Sequence, residues 1–106
     1  MEVCMIQVNL NKEIETKFNR LLKNYQGNYN NMFNDVINYY IEELKKGMKN
    51  IELDLLYFEN RYSLTTEKFY KKFQKGELGD ENNDFIQWCG EYEIWLDHKK
   101  DLAELT

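Results

Sequence analysis

Carboxylates are the most numerous reactive groups of this chain, and Asp80, Glu81 and Asp84 crowd together in one short polar stretch. Paired carboxylates can divide acid and base roles when their surroundings separate their pKa values. These three stand in a turn-and-cap setting, where acids are expected for reasons of helix initiation, so general-acid work is not indicated. Nucleophilic catalysis needs an activated Ser, Thr or Cys beside a base. The single histidine, His98, falls in a highly charged stretch, and no surrounding residues mark Cys4 or Cys89 as activated. Neither cysteine has partners at metal-ligand spacing, so neither a zinc site nor a disulfide framework is indicated. The alternating oxygen ligands of a calcium loop cannot be aligned, and no glycine loop of the phosphate-binding type is present. The residues therefore predict a protein that is not an enzyme and that uses no metal, no cofactor and no small-molecule substrate.

What remains is recognition chemistry. Eight Tyr, six Phe and two Trp supply large buried areas per residue, which suits a small core and suits a binding surface equally. Residues 1–50 carry seven Lys/Arg against six Asp/Glu, whereas residues 51–106 carry seven against thirteen. The first half can approach nucleic acid; the second repels it and attracts a basic partner, or serves only as solubilising acidic surface. No apolar run reaches the length of a membrane span and the N-terminus lacks a secretory pattern, which predicts a cytoplasmic protein.

Five elements are needed to position these groups. From Val3 to Leu10 the residues alternate, with Cys4, Ile6, Val8 and Leu10 on one face and Met5, Gln7 and Asn9 on the other, the period of a half-buried strand. A solitary strand leaves its backbone groups unpaired, so the same strand of a second molecule is the simplest partner and a homodimer is expected. Asn11 caps a first helix with Ile14, Phe18, Leu21 and Tyr25 on its apolar face, and Gly27 ends it. Asn30 or Asn31 starts the next. Thr65 caps a short helix bearing Phe69 and Phe73, Gly76 stops it, and residues 80–84 cap a final helix with Phe85, Trp88, Tyr92 and Trp95 on one face. That face either binds a partner or folds back as ordinary core.

The longest signal lies between Phe33 and Tyr62, where apolar residues recur at Ile37, Tyr40, Leu44, Met48, Ile51, Leu55 and Phe58, every third or fourth position. Gly47 interrupts it chemically, and a helix could stop at Lys46. The stripe keeps its phase across Gly47, which favours one helix. Thirty residues of helix span about 45 Å, more than a globule of this size offers, so a second copy, a partner or the C-terminal tail must cover part of the stripe.

The order strand, short helix, Gly27 turn and longer helix within residues 1–46 resembles the ribbon-helix-helix family of DNA-binding dimers. The likeness rests on Ile6, Val8 and Leu10, the Asn11 helix start, Phe18 and Leu21, and Gly27 followed by Phe33, Val36 and Ile37. It implies an antiparallel ribbon in the major groove, with Met5, Gln7 and Asn9 as base readers and the backbone near Asn30 and Asn31 at phosphate. Gln and Asn can each bond adenine bidentately. The strand has no Arg or Lys, so phosphate neutralisation falls to the first helix, with Lys17 and Arg20 foremost. Thr65-Thr66-Glu67-Lys68-Phe69, Gly76-Glu77-Leu78-Gly79-Asp80 and Asp84-Phe85-Ile86-Gln87-Trp88 together look like the C-terminal segment of small prokaryotic antitoxin-like proteins.

These resemblances imply a mainly α protein: a ribbon-helix-helix dimer with one N-terminal strand, a long second helix and two further C-terminal helices. Residues 1–46 would form the dimerisation and DNA-binding module, and residues 47–106 a helical extension that covers a toxin. The expected function is that of a type II antitoxin, which neutralises a basic toxin through Phe69, Phe73, Trp88, Tyr92 and Trp95 and represses its own operon by binding operator DNA. The alternatives are a regulator of the same fold without a toxin, and a helical dimeric interaction protein that does not bind DNA.

Overall fold

The computed structural model describes residues 6–79 and 81–106, so Val3, Cys4, Met5 and Asp80 lie outside the described residues. The described residues form four helices: α1 (Lys12–Asn24), α2 (Tyr29–Tyr62), α3 (Thr66–Gln74) and α4 (Asn83–Leu105). The chain divides into two compact units, Met1–Ile37 and Asn38–Thr106, with α2 contributing to both.

The mainly helical class holds, but the N-terminal strand does not, and with it goes the ribbon-helix-helix dimer fold. Residues 6–11 run without any strand pairing. The reason is physical: a strand exists only when its N–H and C=O groups close a ladder with a second strand, and none is present among the described residues. The alternation survives in a different form. Ile6, Val8 and Leu10 share one side of an irregular segment, and all three line the same hollow as Phe18 and Phe33.

Helix ends follow local chemistry. The Asn11 side chain accepts the Ile14 N–H at 2.8 Å, Thr65 accepts that of Lys68 at 3.4 Å, and Asn82 accepts that of Asp84 at 2.8 Å. The long helix starts earlier than Asn30 or Asn31. Asn28 is its cap, with Oδ1 accepting the Asn31 N–H at 3.1 Å. Helix α1 ends at Asn24, three residues before Gly27: Gln26 and Gly27 both take the left-handed conformation, at φ 54° and 78°, and the Gly27 N–H donates back to the Leu22 carbonyl at 3.1 Å. Ser63 does the same after α2 at φ 51°, with the Leu64 N–H on the Glu59 carbonyl. Gly76, at φ 74°, ends α3 as its sequence position predicts.

In the C-terminal unit Leu55 and Phe58 of α2, Phe69 of α3, and Trp88 and Cys89 of α4 form one buried cluster, with Tyr62, Phe73, Leu78, Phe85 and Tyr92 packed on it. The Phe69 and Trp88 rings lie face to face, centroids 3.8 Å apart and 4° from parallel. The Trp88 indole N–H donates to Thr66 Oγ1 at 3.0 Å, which satisfies the one polar atom of the ring where water cannot reach. Glu59 Oε2 accepts the Thr66 N–H at 2.7 Å, so α2 supplies a cap for α3. Helix α2 runs through Gly47 without a break, and the hydrogen side of that residue faces His98: a Cβ there would lie 3.5 Å from His98 Nε2.

Candidate protein-interaction surfaces

Within the N-terminal unit, α1 buries none of its residues, and Met32 is the only buried apolar side chain of the unit among the described residues. Phe18, Tyr29 and Phe33 touch one another at centroid distances of 6.0 to 6.4 Å. Even so, Tyr29 and Phe33 remain about half exposed, as do Ile14, Val36 and Ile37, and Ile6 is 89% exposed. Ile6, Val8, Leu10, Ile14, Phe18, Tyr29 and Phe33 together line an open hollow of about 470 Å³. A hydrogen bond from the hydroxyl of Tyr25, the C-terminal cap of α1, to Asp35 Oδ2 at 2.6 Å ties that cap to α2. A contiguous apolar face of this kind is what a protein interface presents before it is covered.

The residues expected to meet DNA lie in this same unit. Gln7 and Asn9 are exposed on the irregular segment, Lys17 is paired with Glu13 at 3.1 Å, and Arg20 is exposed on α1. Asn30 and Asn31 occupy the first turn of α2, and the Asn31 N–H is already taken by Asn28 Oδ1, which removes that donor from phosphate binding. Met5 lies outside the described residues.

The C-terminal unit sorts the expected partner-binding aromatics into two groups. Phe69 and Trp88 are fully buried and hold the unit together, with Phe73 packed against them. Tyr92 and Trp95 are half-buried and line a groove of about 780 Å³ between α2, α3 and α4. Their rings stack at 6.0 Å and 12°. Leu55 and Leu56 complete the floor, and Glu52, Glu59, Glu67, Lys68 and Lys71 stand around it. The Trp95 indole N–H donates to Glu52 Oε1 at 3.1 Å, and the Lys99 ammonium lies 5.3 Å above the Trp95 ring. Burial and then the nearby Glu67 carboxylate push the Tyr92 phenol up from its ordinary value.

Two other side chains of α4 titrate far from their ordinary values. Burial, and then the Glu93 carboxylate that accepts its S–H at 3.5 Å, push the Cys89 thiol up to about 11, which keeps it protonated and unreactive. Burial, and then the neighbouring Asp54 carboxylate, push the Glu91 carboxyl up to about 7, and its Oε2 is buried with no hydrogen-bond partner. Among the described residues no three His, Cys, Asp or Glu side chains converge as a metal site, and no helix is long and apolar enough to cross a membrane.

Sequence reasoning did not single out Glu52, Leu56, Glu59 or Glu67 as groove residues, nor Thr66 as the acceptor for Trp88. The available signal was spacing: Glu52, Leu55, Leu56 and Glu59 recur at helical intervals, so they share one side of α2. No family model matches the chain, and neither the curated proteins nor the solved structures contain a significant match to it.

Proposed function

We propose that the chain is a non-catalytic binding protein of the cytosol that self-associates through residues 6–37 and covers a basic protein partner with residues 38–106, as an antitoxin covers its toxin. The observation that carries the reading is the uncovered apolar face of the N-terminal unit, where α1 buries nothing while Ile6, Val8, Leu10, Ile14 and Phe33 surround an open hollow. A segment of this size cannot bury enough surface to hold its shape alone, so association is the natural source of the missing core. Residues 6–37 carry four basic and three acidic side chains, so two copies meet with little repulsion. The excess acid falls in the other unit, where it favours a partner of opposite charge. Operator recognition by a paired ribbon has no part in this reading, since residues 6–11 form no strand.

Two measurements test it. Sedimentation should give twice the mass of the chain at micromolar concentration, and Val8→Asp should return it to a single copy. Co-expression with the product of the adjoining reading frame should restore growth if that product is toxic, and truncation before Ser63 should abolish the rescue. A fully folded single-copy protein, or a truncation that rescues fully, would overturn the corresponding half of the proposal.

A further inference from the structure

The groove of the C-terminal unit has finer chemistry than an acidic surface. Three carboxylates, Glu52, Glu59 and Glu67, stand around the Tyr92 and Trp95 rings, and none of them forms an ion pair among the described residues. Lys68 and Lys71 border the same groove and neutralise none of the three. The carboxylate of Glu52 holds the Trp95 N–H, which fixes the ring and enriches its face in negative charge. One cation already uses that ring: the Lys99 ammonium lies 5.3 Å from its centroid. Glu52 and Glu59 already accept the Trp95 and Thr66 N–H groups, but a neutral hydrocarbon segment would leave the charge of the three acids uncompensated, and an acidic one would be repelled by them.

We infer that this groove seats an arginine or lysine side chain carried on an apolar segment of the protein partner, its aliphatic stem on Leu56 and Tyr92 and its charged head between Glu52 and Glu67. The inference rests on the partner-covering function proposed above and names where and by what chemistry the partner is held. Snorkelling explains why one basic side chain satisfies both halves of the site: methylenes cover the aromatic floor while the head stays at the carboxylate rim.

The probe is an amphipathic peptide of leucine, alanine and arginine, compared with the same peptide carrying citrulline in place of arginine, on the full-length chain labelled with ¹⁵N. The arginine peptide should move the Trp95 indole resonance while leaving that of buried Trp88 in place, and the citrulline peptide should bind about tenfold more weakly or not at all. Glu67→Gln should weaken the arginine peptide by about tenfold, whereas Glu77→Gln, an exposed acid outside the groove, should change it by less than about twofold. Equal losses for the two variants, or binding that leaves the Trp95 indole unmoved, would overturn the groove as the seat. If the chain then still rescues growth in co-expression, the groove alone has failed and the partner-covering function stands.

Discussion

The two units of this protein are built from the same material, amphipathic helices with aromatic faces, and differ in where those faces end. In the C-terminal unit three helical segments converge, and Phe58 and Phe69 both stack on Trp88 out of water. In the N-terminal unit one short helix meets one helix start, and Phe18, Tyr29 and Phe33 pack together with Tyr29 and Phe33 still about half open. Helices α1 and α3 are both amphipathic and both capped at their N-termini, yet α3 buries Thr66 and Phe69 while α1 buries nothing. Amphipathicity therefore says that a face will be covered, and only the number of neighbouring elements says whether the same chain covers it.

The sharpest way to break the comparison is Trp88→Ala. Removal of a fully buried ring should cost about 3 to 5 kcal/mol and lower the melting temperature of the C-terminal unit steeply. A variant that melts normally would mean that this unit has no more of a core than the other. Next in size is Phe33→Asp, which places a charge on the open face. It should weaken self-association by about 2 kcal/mol, roughly thirtyfold in dissociation constant, and leave the melting of the C-terminal unit alone. Sedimentation and calorimetry on the same sample would separate the two effects.

A smaller effect tests the cap that sequence misplaced. Asn28→Ala should cost about 1 kcal/mol and speed hydrogen exchange at the Asn31 amide, whereas the same change at Asn30 should do neither. If Asn30 proves the costlier site, α2 begins where the sequence pattern put it.

The smallest effect is one of pH and belongs to the C-terminal unit only. Because the folded Glu91 carboxyl is raised to about 7, above its unfolded value, its contribution to stability is fully present below the ordinary glutamate range and disappears as pH rises through about 7. Solvent near exposed Asp54 screens the interaction, so the change is modest beside a lost ring. Thermal melts between pH 5 and pH 8 should show that decline, and Glu91→Gln should flatten it. A melting temperature that rises over this range in the native chain would mean that Glu91 is ionised throughout.

Much of this protein was determined by sequence alone, where the cause is local. Asn11 and Thr65 cap their helices through side chains three residues from the amides they accept, Gly76 provides a left-handed stop, and the unbroken stripe from Phe33 to Tyr62 keeps α2 whole through Gly47. Interactions within four residues of chain can be read from order and spacing. The strand was different. Alternation at Ile6, Val8 and Leu10 specifies which side chains go together but not whether a second backbone is present to pair with, and without one the segment leaves its apolar side exposed along an open hollow. The aromatics of α4 were ambiguous for the same reason. Trp88 and Trp95 lie on one helix at equivalent spacing, yet Trp88 is sealed by Phe69, Phe58 and the Thr66 hydroxyl, while Trp95 is left beside Glu52 at the rim of a groove. Which of two like residues becomes core and which becomes surface depends on contacts between residues nineteen or more apart in the chain, and those exist only once α2, α3 and α4 have met.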